Sequence, residues 1–183
     1  SAPLSFLSVD GAKDVGIEIH SFSKAFNMTG WRLAFVVGNE KVVGAFGHVK
    51  DNCDSGQFIA IQKAGVYALD NPEITEKIAA KYKRRLILMA EALNECRFSA
   101  PVPKGSFYMY TKAPKGAKGG VRFNCAEDVS EFLIKEAYIS SVPWDDVGAY
   151  LRFSATFAAK GKDDEFRVIE EMKKRLKALE LEF

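Results

Sequence analysis

Two short hydrophobic runs near the start of the chain predict a pair of β-strands. Residues 15–21 alternate apolar and polar positions, and residues 31–37 form an almost continuous apolar run that ends at Gly38. Between them lies the segment SFSKAFNMTGWR, residues 21–32. Because turns at strand ends present side chains to clefts, we expect Lys24, on this turn, to lie in a functional site.

Apolar residues at helical spacing predict three helices in the middle of the chain. Asn39 is a favourable N-cap for the first helix, which extends from Glu40 to about Lys50. The second helix covers residues 57–69 and ends before Asn71-Pro72, and the third covers residues 72–96. The third helix is long enough to connect two domains, so we place the boundary between residues 75 and 76.

The second half of the chain alternates strands and helices, which predicts an α/β fold. Strands are expected at residues 105–112 and 149–157, and helices at residues 126–138 and 163–179. The stretch KGAKGG, residues 115–120, is expected to be a flexible loop. The last helix carries an apolar stripe that is typical of core packing, formed by Phe166, Ile169, Met172, Leu176 and Leu179.

Composition excludes several classes of function. The chain has 183 residues, 48% of them hydrophobic and 27% charged, which suits one or two globular domains without disulfide bonds. A net charge of +2 gives no basic surface for nucleic acid. Three widely spaced cysteines and two histidines predict neither a disulfide framework nor a metal site. No run approaches the ~18 apolar residues of a membrane span, so we predict a cytoplasmic protein that binds no membrane.

The polar residues of the segment 21–32 indicate phosphate binding when they are considered as a set, but not when each is considered alone. Taken alone, Lys24 is most simply a solvated charge and Arg32 a surface ion pair. Together, the hydroxyls of Ser21 and Ser23, the Lys24 amine and the planar Arg32 cation form a set of donors that binds phosphate. Lysine amines also form covalent bonds with aldehydes.

Three motifs carry a resemblance to a known family. The sequence SFSK followed by NMTGWRLAFVVGN resembles the cofactor-lysine motif of fold type I pyridoxal-phosphate aminotransferases. KGSFYMY, residues 104–110, and AYLRFSATF, residues 149–157, resemble the glycine-aromatic and arginine-bearing strands of the family's small domain. Within the family, the sequence is most similar to the LL-diaminopimelate aminotransferases.

The resemblance implies a role for each candidate site residue. Lys24 is expected to bind pyridoxal 5'-phosphate covalently and to carry the proton at the substrate Cα. Arg32, Ser21 and Ser23 are expected to bind the cofactor phosphate, and Arg152 the substrate α-carboxylate. The implied reaction transfers an amino group between an amino acid such as glutamate and a 2-oxo acid, in lysine biosynthesis. A homodimer is also implied.

The resemblance further implies that residues 1–75 are the end of the cofactor-binding large domain and residues 76–183 an α+β small domain. The chain resembles the C-terminal part of the family's enzymes, and the partners of the cofactor's pyridine ring are expected upstream of it. Two alternatives therefore stay open. One is a non-catalytic module, and the other is a different pyridoxal-phosphate enzyme of the same fold, such as a carbon–sulfur lyase.

Overall fold

The computed structural model describes residues 4–183, which form two compact units. The first unit ends at Ala79 and the second comprises Ala80–Phe183. Each unit has its own cluster of buried apolar residues.

The first unit is a strand hairpin followed by helices. The two strands are antiparallel, with Ile17 opposite Gly38 and Ser21 opposite Ala34. Asn39 caps the helix that follows, because its Oδ1 accepts a hydrogen bond from the Val42 N–H at 3.1 Å, as predicted. In chain order the elements are α1 (Ala12–Val15), β1 (Ile17–Ser21), α2 (Phe22–Ala25), β2 (Ala34–Gly38), α3 (Glu40–Cys53), α4 (Ile59–Asp70) and the start of α5 (Glu73–Glu95).

A small core holds the segment between β1 and β2 against α4. Phe22, Met28 and Ala68 are buried at its centre. Gly65 on α4 permits close packing, because a Cβ at this position would lie 2.7 Å from Cδ2 of Leu33 and 3.3 Å from Cζ of Phe22. The ring of Phe22 therefore anchors the start of α2, two residues before Lys24.

The second unit packs helices on one face of a three-stranded antiparallel sheet. The strand order is β3-β7-β6, and β4 and β5 form a separate antiparallel pair. The elements are the rest of α5, β3 (Tyr108–Lys112), β4 (Gly116–Ala117), β5 (Val121–Arg122), α6 (Ala126–Ala137), β6 (Val142–Trp144), β7 (Tyr150–Ser154) and α7 (Lys162–Ala178).

Strand alternation separates a buried face of this sheet from a polar and aromatic face. Met109, Leu151 and Phe153 are buried in the core, whereas Tyr108, Tyr110 and Arg152 occupy the alternate positions. Helical residues complete the core from the other side, among them Leu86, Leu93, Val129, Leu133, Ile169 and Leu176.

Every predicted helix is present, and the strands are shorter than predicted. Ile17 begins the first strand because α1 takes residues up to Val15. The prediction of a strand from Trp31 is wrong: residues 29–31 form a 3-10 turn, and the left-handed conformation of Arg32 (φ 52°) delays the strand to Ala34.

Two further predictions for the second unit are wrong. Phe166 is 55% exposed rather than packed in the core, because Glu165, four residues before Ile169, takes the inward position of this turn. Residues 115–120 are not an irregular loop, since Gly116–Ala117 pairs with Val121–Arg122 across a 3-10 turn.

Across residues 4–183, no helix is both long enough and apolar enough to cross a membrane. Nor does this part of the chain bring together three or more side chains of the kinds that bind metal ions.

Candidate active site

Lys24 lies on a single helical turn directly after β1. Ser21 caps this turn, because its Oγ accepts a hydrogen bond from the Ser23 N–H at 3.2 Å. Phe22 and Ser23 are buried, whereas Ser21 and Lys24 on either side of them are exposed. The two buried residues therefore fix the backbone of the turn, and the Lys24 side chain lies at the surface of the unit.

Thr29 links the lysine turn to Arg32. Its hydroxyl donates to the carbonyl of Ser23 at 2.9 Å, and its own carbonyl accepts from Nη1 of Arg32 at 3.0 Å. The left-handed backbone at Arg32 turns the chain sharply at the point where this contact forms. As a result, the guanidinium is tied to the turn that carries Lys24, although eight residues separate them.

The donors of this segment suit an anion. Arg32 is exposed and uses Nη1 for the Thr29 carbonyl, which leaves further N–H groups accessible. The Ser21 hydroxyl accepts from a backbone N–H and can donate its own proton outward. Residues 21–33 contain no aspartate or glutamate, so no carboxylate of this segment competes for these donors. Ser23 is only 7% exposed, which makes Ser21 the more accessible of the two hydroxyls.

A hydrogen bond between a histidine and a carboxylate lies beside the segment on β1. Nε2 of His20 and Oε2 of Glu18 are 2.7 Å apart, and the ring of His20 stacks on Phe35 with centroids 5.0 Å apart. The Ser5 hydroxyl and then His20 lower the pKa of Glu18 to about 2 through hydrogen bonds. Glu18 is therefore a carboxylate at neutral pH, and its hydrogen bond holds the imidazole in place.

Arg152 lies on β7 in the second unit, on the face of the sheet opposite the core. Its guanidinium carbon lies 4.3 Å from the centroid of the Tyr108 ring and 6.0 Å from that of Trp144. Its Nε is buried and has no hydrogen-bond partner among residues 4–183.

A buried ion-pair network holds the chain just after β7. Glu165 on α7 is 2% exposed and accepts hydrogen bonds from Nε of Arg84 at 2.7 Å and from Nε of Arg85 at 2.8 Å. Nη1 of Arg85 also donates to the carbonyls of Phe157, at 2.6 Å, and Ala155, at 3.2 Å. The network fixes the chain three residues beyond Arg152.

The predicted site residues thus fall into two groups. Ser21, Ser23, Lys24 and Arg32 lie together in the hairpin segment of the first unit, and Arg152 lies in the second unit.

Sequence reasoning missed the roles of Thr29 and of the rings around Arg152. Thr29 belongs to the cofactor-lysine motif, but the sequence of the motif does not show which atom the Thr29 hydroxyl contacts. Tyr108 and Tyr110 alternate along one strand, a signal that could have placed both on the same face as an arginine of the neighbouring strand.

Comparisons with known proteins identify the family of the chain. The family model described as aminotransferase class I and II matches residues 4–171. The chain is 59% identical over 189 residues to an LL-diaminopimelate aminotransferase of Methanocaldococcus jannaschii, covering 99% of this chain and 45% of that protein. It is 58% identical over 186 residues to an LL-diaminopimelate aminotransferase of Methanococcus maripaludis, covering 99% of this chain and 45% of that protein.

Solved structures share the fold. BacF of Bacillus subtilis superimposes with a TM-score of 0.82 at 32% identity, covering 98% of this chain and 46% of that one. An aromatic aminotransferase of Pyrococcus horikoshii gives a TM-score of 0.77 at 27% identity, covering 95% of this chain and 45% of that one. These comparisons confirm the predicted resemblance and the α/β fold class.

Proposed function

Because the chain belongs to the class I and II aminotransferase family, we propose that it carries the catalytic lysine and the substrate arginine of an LL-diaminopimelate aminotransferase. The chain spans about 45% of the length of the curated relatives that have this name. The activity, substrates and partners of the whole protein are therefore part of the proposal. The reaction transfers an amino group between an amino acid such as glutamate and a 2-oxo acid, in lysine biosynthesis.

The observation that carries the proposal is the exposed lysine on an anchored turn with anion-binding donors on both sides. Ser21 lies before Lys24, and Arg32 is tied back to the turn through Thr29. An aldehyde bearing a phosphate needs an amine and several hydrogen-bond donors close together. The residues present fit pyridoxal 5'-phosphate on that ground.

Each residue then has a task in the reaction. Arg32 pairs with the phosphate through its planar fork, and the Ser21 and Ser23 hydroxyls donate to the same group. Nζ of Lys24 would hold the cofactor at its aldehyde group, and the Lys24 amine would take the proton from the substrate Cα. When bound, pyridoxal 5'-phosphate supplies the electron sink that stabilises the resulting carbanion.

Arg152 binds the α-carboxylate of the amino acid or 2-oxo acid. A bidentate guanidinium pair fixes two oxygens at once and thereby orients the Cα–H bond for removal. The sheet supports this role, because Arg152 occupies the middle of β7 with a hydrogen-bonded neighbour strand on each side.

The domain assignment belongs to the same proposal. We assign residues 1–75 to the end of the large, cofactor-binding domain and residues 76–183 to the small domain, with α5 as the connection. A homodimer and a cytoplasmic location are proposed from the family and the sequence.

Covalent trapping tests the role of Lys24. The 183-residue chain is incubated with pyridoxal 5'-phosphate, reduced with borohydride, digested and analysed by mass spectrometry. We expect the cofactor on the peptide that contains Lys24 and its loss in Lys24→Ala, whereas Lys63→Ala, which removes an exposed lysine of α4, retains it. Equal labelling of several surface lysines, or labelling that survives in Lys24→Ala, contradicts the proposal.

A product assay then tests the reaction. Glutamate formed from LL-diaminopimelate and 2-oxoglutarate is compared with that formed from aspartate or phenylalanine as donor. We expect LL-diaminopimelate to be preferred. Sulfide released from a cysteine-type substrate, with no glutamate formed, identifies a carbon–sulfur lyase instead.

A further inference from the structure

The half-buried Arg152 differs from the buried Arg85 of the same unit in having no acid partner. Arg85 is satisfied by the carboxylate of Glu165 and by two backbone carbonyls. Arg152 forms no ion pair within residues 4–183, and its buried Nε has no acceptor. The side chain as a whole is half-buried, and its Nη groups, which are not among the buried atoms, are the donors that an anion can reach.

Two aromatic rings cover the guanidinium. Tyr108 lies 4.3 Å and Trp144 6.0 Å from its central carbon, measured to the ring centroids. The edge of Trp144 meets Tyr110, with ring centroids 6.0 Å apart and planes at 89°. The cluster of Tyr108, Tyr110, Trp144 and Arg152 is called the aromatic clamp below.

The strand register brings the clamp together. Arg152 lies opposite Tyr110 on one side and Val142 on the other, so Tyr108 and Trp144 are its diagonal neighbours on the same face. Long and aromatic side chains reach across such diagonals.

The rings determine which donors of Arg152 remain usable. Cation–π contacts cover the faces of the flat cation, whereas its N–H groups lie in its plane and stay available at its edge. Because the rings also restrict rotation of the side chain, less freedom is lost when a ligand binds. A cation held this way presents its edge to an acceptor that offers two oxygens side by side, as a carboxylate does.

We propose that Tyr108 and Trp144 are positioning residues, which hold Arg152 as a preformed clamp for the carboxylate of a small amino acid or 2-oxo acid. The inference rests on the proposed function for the identity of the substrate. It goes further in assigning to Tyr108 and Trp144 the orientation of the Arg152 guanidinium before any cofactor binds.

Acetate titration of the 183-residue chain tests the clamp without cofactor. Trp31→Phe leaves Trp144 as the one tryptophan, since the sequence has two. At constant ionic strength, sodium acetate is expected to change Trp144 emission saturably, whereas methylammonium chloride is not. Arg152→Lys keeps the charge but loses the fork, and is expected to weaken acetate binding at least about tenfold.

Substitutions of the ring separate a positioning role from a structural one. Tyr108→Leu removes the stacked face and is expected to weaken acetate binding about fivefold. Tyr108→Phe keeps the ring and is expected to bind as the parent does. Tyr138→Leu is the matched control, because Tyr138 contacts the guanidinium of Arg175, at 5.9 Å, but that arginine is already paired with Glu171.

Two results would overturn the inference: no saturable change with acetate, or unchanged acetate affinity in a folded Tyr108→Leu variant. If a variant does not fold, the Nε–H resonance of Arg152 in the parent chain decides, because the inference requires that it shift on acetate addition. The trapping experiment at Lys24 is independent of these measurements. If the chain binds acetate through the clamp but is not labelled at Lys24, the proposed function is wrong and the clamp is supported. If Lys24 is labelled but acetate does not bind, only the clamp is wrong.

Discussion

Glu165→Gln tests how strongly the buried carboxylate of α7 stabilises the second unit. The glutamine keeps the shape of the side chain but removes the charge that Arg84 and Arg85 face. Hydrogen bonds from Arg84, and then from Arg85, outweigh burial and lower the pKa of Glu165 from 4.5 to about 2. Each pH unit of difference between the folded and unfolded pKa corresponds to about 1.4 kcal/mol, so the charged form contributes roughly 3 kcal/mol at pH 7.

The pH dependence of this contribution has a definite sign. Because the folded pKa is depressed, the stabilisation is fully present above the unfolded value of 4.5 and is lost as the pH falls toward 2. At pH 3 about 1.4 kcal/mol of it remains. The difference in unfolding free energy between the parent and Glu165→Gln is therefore expected to shrink to about half between pH 7 and pH 3.

Urea unfolding in the Trp31→Phe background measures this difference, because Trp144 then reports on the second unit alone. Glu171→Gln is the matched control on the same helix, since the side chains of Glu171 and its partner Arg175 are 46% and 40% exposed. An exposed ion pair of this kind is expected to contribute about 0–1 kcal/mol. If Glu165→Gln costs no more than this control, or if its cost is the same at pH 3 and pH 7, the carboxylate does not stabilise the unit as argued.

Three further predictions address the core, a helix cap and the lysine turn. Leu133 is 0% exposed, so Leu133→Ala is expected to destabilise the second unit by about 2–5 kcal/mol in urea unfolding. Ile134→Ala, at a neighbouring position that is 48% exposed, is expected to cost far less. Similar costs for the two variants would contradict the packing. Asn39→Ala removes the cap of α3 and is expected to lower the free energy of unfolding by about 1 kcal/mol in thermal or urea unfolding. Asn52→Ala, within the same helix, is the control and is expected to have little effect. Equal effects of the two variants would mean that the cap is dispensable. Thr29→Val removes the hydrogen bond from the Thr29 hydroxyl to the Ser23 carbonyl, which connects the lysine turn to Arg32. Spectroscopic titration is expected to show pyridoxal 5'-phosphate binding weakened about fivefold. Unchanged affinity would show that this hydrogen bond is not needed.

The sequence predicted most of the helices, because helix formation depends on residues that are close along the chain. The period of apolar residues and the cap at Asn39 both act within one or two turns. The lysine turn was predictable for the same reason, since all of its candidate residues lie within twelve positions. Local information was insufficient at Trp31, where the left-handed backbone of Arg32 delays the strand.

Only the tertiary structure decided which side chains meet across long separations. Glu165 and its arginine partners are 80 and 81 residues apart. The local sequence around one of these residues does not identify the residue that it pairs with. Phe166 fits the apolar stripe of α7 yet is exposed, because burial depends on which element packs against a helix and not on the period of the helix itself. The rings around Arg152 likewise follow from strand register, which hydrogen bonds between distant segments set. The sequence thus determined the local elements and the chemistry of the lysine turn, whereas the surroundings of each charged group depended on contacts that form only when distant parts of the chain pack together.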